Sequence, residues 1–247
     1  MPAFSKLKVK LFADGAELKV IAEMNKNPWI MGFTTNPTLM RKANITDYKA
    51  FSLEALKIVP DKPISFEVFS DDFSEMEAQA HEIASWGRNV YVKIPVSNTT
   101  GEFAGPLIKR LAVAGVQLNI TAIMTPAQVT RVLACLNVTV PSFVSVFAGR
   151  IADSGRDPIP LMTECVRLLK TNPKAELIWA SPRELLNIIQ ADAIGCHVIT
   201  VTNDVLAKLP NIGKDLDQYS LETVQMFRQD ALKAGFNIEL SKGKGKH

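Results

Sequence analysis

Apolar and polar positions follow a repeating order along this chain. A short apolar run rich in β-branched and aromatic residues gives way to a stretch whose apolar residues return every three or four positions. The runs are VKLFA (9–13), IMGFTT (30–35), ISFEVF (64–69), VYVKIPV (90–96), VQLNITAI (116–123), FVSVFA (143–148), ELIWAS (176–181) and HVITVT (197–202). Between them, segments such as AELKVIAEMNK, FSEMEAQAHEIASWG, FAGPLIKRLAVAG and PRELLNIIQADAIG carry helical spacing. Gly87, Gly115 and Gly195 follow such segments and are expected to end them as left-handed C-terminal residues.

Eight strands alternating with helices, without a Pro-, Gly- or Ser-rich linker, predict a single α/β domain, a closed parallel (β/α)8 TIM barrel over residues 1–236. A doubly wound open sheet would place a glycine-rich phosphate loop after an early strand, and no GxGxxG occurs. Beyond the eighth unit, SLETVQMFRQDALKAGF (220–236) predicts an additional C-terminal helix, packed on its own barrel or on a neighbouring subunit. Residues 237–247, ending in SKGKGKH, read as a disordered basic tail.

Composition narrows the function. The chain has 247 residues, 47% of them hydrophobic, and a mean hydropathy of +0.09, ample for one well-buried core. No apolar run is long enough to cross a bilayer, and the first residues lack the apolar stretch of a secretory signal. Cys135, Cys165 and Cys196 are odd in number and far apart, which suits reduced thiols in a cytoplasmic protein better than a disulfide framework or a zinc site. A net charge of +3 without a basic stripe of interleaved aromatics gives no support for nucleic-acid binding.

In such a barrel the reactive groups are expected at the carboxyl ends of the strands. Asp14 follows the first strand, Asn36 the second, and Glu67 and Lys93 interrupt the apolar runs of the third and fourth. Asn119 and Thr121 alternate in the fifth and so face the same way, Ser145 and Arg150 end the sixth, and Ser181 and Arg183 end the seventh. Each has a simpler reading. Asp14 with Gly15, and TTNPT, could be turn chemistry, with Asn36 held extended by Pro37. Ser181 before Pro182 suits a helix N-cap, and Asn119 and Thr121 could bridge backbone groups in the barrel core. A charge inside an apolar strand is costly unless paired or functional, so a structural Lys93–Glu67 ion pair is the alternative to chemistry there. His81 lies mid-helix, His197 at the opposite rim and His247 at the terminus. That placement disfavours a metal-dependent aldolase and a Ser/His/Asp or Cys/His relay, and leaves an amine nucleophile.

These motifs resemble the transaldolase family, and within it the short-chain members that include the fructose 6-phosphate aldolase branch. The resemblance runs from about Lys10 to Phe236. It is carried by FADGA (12–16), GFTTNPTL (32–39), FEV (66–68), VYVKIPV (90–96), LNITAIMTPAQ (118–128), FAGRIAD (147–153), WAS (179–181) and GCHVITVT (195–202). It implies a Schiff-base enzyme acting on sugar phosphates without a metal or organic cofactor, in which Lys93 forms the imine and Asp14 is the acid/base at the C4 hydroxyl. Glu67 and Thr121 would hold and activate the water of imine formation and hydrolysis. Asn36, Asn119 and Ser145 would bind the hydroxyls of a dihydroxyacetone unit, and Arg150, Ser181 and Arg183 match phosphate-binding positions. Relatives of this kind are ring-built homo-oligomers that use a C-terminal helix, so a homo-oligomer is expected.

Two outcomes compete within the resemblance. Transaldolases pass the three-carbon unit to an aldose phosphate, whereas the aldolase branch releases free dihydroxyacetone. That branch resembles a set with Gln at the Glu67 position, an apolar residue at Asn119, Ala at Ser145 and Tyr at Phe147, and this chain carries the transaldolase-like choice at all four. The expectation is a transaldolase of the pentose phosphate pathway. Its donor would be sedoheptulose 7-phosphate or fructose 6-phosphate, and its acceptor glyceraldehyde 3-phosphate or erythrose 4-phosphate. Aldolase-type cleavage and a catalytically silent sugar-phosphate-binding barrel are the alternatives. One departure concerns the phosphate end: the family's Ser-Phe-Arg or Ser-Phe-Lys is Ser181-Pro182-Arg183 here.

Overall fold

The computed structural model describes residues 6–239; the expected tail from residue 240 onward, with His247, lies outside them. Its first half runs β1 (Lys10–Asp14), α1 (Leu18–Lys26), β2 (Ile30–Thr34), α2 (Pro37–Lys42), α3 (Tyr48–Ile58), β3 (Ile64–Glu67), α4 (Phe73–Ala84), β4 (Val90–Pro95) and α5 (Gly105–Val113). The second runs β5 (Leu118–Ile123), α6 (Pro126–Leu133), β6 (Ser142–Val146), α7 (Ala148–Asp153), α8 (Pro158–Leu169), β7 (Ala175–Trp179), α9 (Leu186–Ala193), β8 (Val198–Thr202), α10 (Asn203–Leu206) and α11 (Leu216–Lys233). The eight strands close in sequence order into a parallel barrel, with β8 pairing back onto β1. Among the described residues, no helix is long and apolar enough to cross a membrane.

Two apolar clusters hold the barrel. The larger fills the space between strands and helices, with Phe66, Ile94, Leu118, Ile120 and Trp179 fully buried. Each such side chain contributes roughly 2 kcal/mol. The smaller occupies the lower lumen, where Phe12, Phe143, Ile178 and Val198 meet Tyr91. Phe12 packs edge-on to Phe143 at 5.5 Å, and Tyr91 lies 4.3 Å from the same ring. Gly32 makes room for this layer, since a Cβ there would stand 2.5 Å from Phe12 Cζ. At the lower rim the Lys10 ammonium meets the Glu176 carboxylate at 2.5 Å. The lumen below is therefore filled, and the polar strand ends above it are open to chemistry.

Local signals set the element ends. Asn36, Asp47, Asp72, Asp157 and Asp215 cap their helices through side-chain oxygens, and Thr125 with Gln128 forms a reciprocal capping box. Gly115 and Gly195 adopt the expected left-handed conformation, at φ 81° and 73°. Gly87 does not. The α4 helix already ends at Ala84, and the hydroxyl of its C-cap Ser85 donates to the Glu82 carbonyl. The terminal helix starts four residues before the segment expected at 220, because Asp215 accepts from Gln218 N and caps it there. No residue of α11 is buried; Leu221, Val224 and Phe227 are exposed.

Candidate active site

At the upper mouth, β3, β4 and β5 run in register so that Glu67 pairs with Lys93, and Lys93 with Asn119. A side chain one strand over at the same level points to the same side of a parallel sheet, which brings these three together in the lumen. Lys93 is 6% exposed. Its Nζ lies 3.0 Å from Glu67 Oε2 and donates to the Thr35 carbonyl at 2.8 Å.

Asp14, at the end of β1, accepts from Thr34 Oγ1 at 2.8 Å and from Asn36 Nδ2 at 3.4 Å. Thr34 in turn shares a hydrogen bond with Thr200 on β8. Burial pushes the Asp14 carboxyl above its ordinary value; the nearby Lys93 charge and the two hydrogen bonds oppose that shift without cancelling it. A carboxyl so placed exchanges protons nearer to neutrality than a solvated one. Asn36 has both a local role and a partner at the mouth. Its extended backbone (φ −155°) precedes Pro37, its Oδ1 accepts from Leu39 N at 3.0 Å, and its amide nitrogen faces Asp14.

Asn119 is fully buried and held from both sides: its Nδ2 donates to Ser65 Oγ at 3.0 Å, and its Oδ1 accepts from Ser145 Oγ at 2.7 Å. Thr121 lies one pleat above it with its Oγ1 buried and unpartnered. The strand is strained at that point. Ala122 takes φ 62° and the β5–β6 register shifts between Ile120 and Ile123, which costs roughly 1–2 kcal/mol for a residue with a Cβ. Strain next to an unsatisfied hydroxyl at a barrel mouth is the pattern of a site built for a ligand.

Arg150, Ser181 and Arg183, the expected phosphate-binding residues, lie beyond β6 and β7. Arg150 is exposed on α7, its guanidinium 5.7 Å from the centre of the Phe147 ring. Arg183 forks onto Asp153, its Nε 3.0 Å from Oδ1 and its Nη2 bound to Oδ2. Ser181 is not a helix N-cap. The α9 helix begins only at Leu186, after the Pro182 segment, and Ser181 itself sits at φ 59°. Its carbonyl presses on α7, where a Cβ on Gly149 would come within 1.5 Å of Ser181 O. That contact brings the Arg150 and Arg183 segments to one rim.

A comparison with known families matches residues 11–241 to Transaldolase/Fructose-6-phosphate aldolase. The chain belongs to that family. It is 34% identical over 202 residues to a "Probable transaldolase" of Dehalococcoides mccartyi, covering 81% of this chain and 90% of that one. It is 32% identical over 231 residues to a "Probable transaldolase" of Thermoanaerobacter sp. strain X514, covering 93% and 100%. Among solved structures, a Burkholderia cenocepacia J2315 protein described as a "putative phosphonomutase" shares the fold at a TM-score of 0.54 and 13% identity, covering 90% of this chain and 94% of that one.

Within this transaldolase-family barrel, four groups that sequence reasoning passed over support the mouth. Thr34 and Thr200 tie Asp14 to β2 and β8; Ser65 holds Asn119; the Thr35 carbonyl holds Lys93. Their hydroxyls look like ordinary β-strand residues in sequence. For two of them the available signal was position: Thr34 is level with Asp14 and two residues before Asn36, and Ser65 is two residues before Glu67, whereas Thr200 is level with Phe12 and gives no such signal. Asn203 was also missed. It lines a small hollow with Asp14 and Gly15, and its Oδ1 is buried without a partner.

Proposed function

We propose that the chain is a Schiff-base transaldolase that transfers a dihydroxyacetone unit from a ketose phosphate to an aldose phosphate. The observation that carries this reading is the buried Lys93 amine, 3.0 Å from Glu67, at a mouth that also holds a carboxyl, Asp14, of raised proton affinity. In its neutral form the amine attacks the C2 carbonyl, and loss of water gives a protonated imine. Glu67 is placed to accept the ammonium proton, and the unpartnered Thr121 hydroxyl to hold the departing water. Asp14 takes the C4 hydroxyl proton, the C3–C4 bond breaks with its electrons flowing into the iminium, and an aldose phosphate leaves. The enamine then adds to a second aldose phosphate, Asp14 returns its proton, and water releases the new ketose. Asn36, Asn119 and Ser145 hold the hydroxyls of the three-carbon unit, and Arg150 with Ser181 and Arg183 receives the phosphate.

Transfer is favoured over release by the residues around the enamine. Phe147 offers no phenol to orient water or protons at the three-carbon unit, and Asn119 is clamped by Ser65 and Ser145. The donor–acceptor pairs of the pentose phosphate pathway fit this chemistry. Three free thiols, with Cys165 and Cys196 pushed up to about 12 by burial, accord with a reducing, cytoplasmic setting, and the exposed apolar residues of α11 accord with a homo-oligomer.

Borohydride trapping in the presence of fructose 6-phosphate should label the Lys93 peptide in mass spectrometry; an unlabelled Lys93 sinks the reading. A coupled assay with and without an acceptor aldose phosphate separates transfer from cleavage. Transfer requires sugar phosphate turnover to depend on the acceptor, and Phe147→Tyr should raise the release of free dihydroxyacetone.

A further inference from the structure

The β2–β3 ladder stops one bond early. Phe33 N donates to the Pro63 carbonyl at 2.8 Å and Thr35 N to the Ser65 carbonyl at 3.3 Å. In an evenly spaced parallel ladder a residue that donates to position j−1 of its neighbour accepts from position j+1, so the next bond would run from Glu67 N to the Thr35 carbonyl. That bond is replaced. Glu67 N donates instead to Tyr48 Oη at 2.8 Å, and the Thr35 carbonyl accepts from Lys93 Nζ at 2.8 Å. The same phenol donates to the Glu67 carbonyl at 2.9 Å, so one side chain on α3 satisfies both backbone groups that β2 leaves open. Burial holds the phenol well above its ordinary value, which keeps its proton in place as a donor. Phe66, Phe69 and Trp86 surround the ring edge-on at 4.5–6.3 Å and fix its direction.

We propose that Tyr48 is a positioning residue for the imine chemistry: by taking the Glu67 amide it frees the Thr35 carbonyl to aim the Lys93 amine, and it sets the backbone that carries the Glu67 carboxylate. The proposal rests on Lys93 being the Schiff-base nucleophile. Tyr48→Phe keeps the ring packing and removes the hydroxyl. Its Glu67 amide is then left to the Thr35 carbonyl, its ordinary ladder partner, and competes there with the lysine, which weakens one of that amine's two anchors.

The test is the single-turnover rate of borohydride-trappable imine formation with fructose 6-phosphate, for the wild type, Tyr48→Phe and Trp86→Phe. Trp86 packs on the Tyr48 ring and bonds only Glu82 by its own nitrogen, so it reports the cost of disturbing the cluster alone. Tyr48→Phe should slow imine formation and kcat by roughly ten- to a hundredfold with KM little changed, as a displaced reacting group does. Trp86→Phe should lower the Tm at least as much and leave the rate near that of the wild type. A crystal structure of Tyr48→Phe should show the Thr35 carbonyl accepting from Glu67 N. A wild-type rate in Tyr48→Phe, or equal losses in the two variants, overturns the role of Tyr48 while the nucleophile stands. A wild type that is never labelled at Lys93 overturns the nucleophile assignment and this role with it.

Discussion

Lys93 and Glu67 face each other on adjacent strands at the same register level, with Nζ and Oε2 3.0 Å apart and both side chains largely removed from solvent. A pair in that position is expensive to assemble, because two charges must leave water, and it is more expensive still to break from one side. A purely structural pair would have no use for a third partner turned out of the sheet ladder, yet the Thr35 carbonyl is turned toward the amine. The geometry suits a lysine that must be held in one direction while it changes charge.

Removing one member should expose that dependence. Glu67→Ala leaves the ammonium with the Thr35 carbonyl alone and should cost about 3 kcal/mol in chemical denaturation. It should also slow transfer by roughly a hundredfold or more through loss of the proton acceptor. Glu67→Gln keeps an acceptor oxygen of the same size but cannot take the proton, so it should retain more of the stability while losing comparable activity. Equal stability and equal trapping in Glu67→Ala would remove the pair from the argument.

Asp14 makes a prediction about pH. Its carboxyl is raised chiefly by burial, so the acid limb of kcat/KM should lie above the ordinary aspartate range. Thr34→Val, which removes a hydrogen bond that lowers the value, should move that limb further up. The stability effect has the opposite sense to that of a salt-bridged aspartate. A raised value in the fold means that the protonated form is preferred there, so the contribution to stability is present below the ordinary value and is lost as pH rises through the raised one. Asp14→Asn should therefore be nearly inactive, by roughly 10²–10⁴-fold, yet melt higher than the wild type at neutral pH. The gain should vanish near about pH 3, where both chains are neutral at this position. A lower Tm at neutral pH would contradict the sign.

Much of this was legible in the sequence, for reasons that differ by residue. Strands announced themselves because a barrel strand is apolar on its helix-facing side over its whole length, and Lys93 and Glu67 stood out as charges within such runs. Thr34, Ser65 and Thr200 did not, because a hydroxyl on a β-strand is unremarkable until the closed sheet places it beside Asp14 or Asn119. Tyr48 was hidden further, on a helix whose start encodes nothing about strand β3. Ser181 followed by Pro182 reads as a cap, but the carbonyl contact with Gly149 that directs the segment away from a helix is a tertiary fact.

That contact gives a third prediction. Gly149→Ala would put a Cβ 1.5 Å from the Ser181 carbonyl oxygen, a backbone atom that cannot rotate aside. The β7–α9 segment must move, at a cost of about 1–3 kcal/mol, and Arg150 and Arg183 separate. KM for a ketose phosphate should rise roughly tenfold or more, since a bidentate or paired cationic site loses its geometry. Borohydride trapping with unphosphorylated dihydroxyacetone should be nearly unaffected, because it needs only the lysine end. A wild-type KM in this variant would show that the rim does not receive the phosphate.

The last prediction concerns α11. Among the described residues, the 18-residue α11 has no buried residue, and Leu221, Val224 and Phe227 stand at 50%, 60% and 64% exposure on adjacent turns. Most helical stability in proteins comes from packing an apolar face, and an exposed apolar stripe marks a contact surface, so we propose that α11 is covered in an assembly. A second copy of the chain supplies that cover without any further partner. Sedimentation velocity should therefore find the wild type larger than a monomer, and Val224→Glu with Phe227→Glu should shift it toward the monomer and lower the Tm. Lys93 trapping should persist in that variant, because no α11 side chain contacts the mouth among the bonds that orient Lys93, Asp14 or Asn119. A wild type that sediments as a monomer would leave these apolar residues simply solvated and sink the assembly.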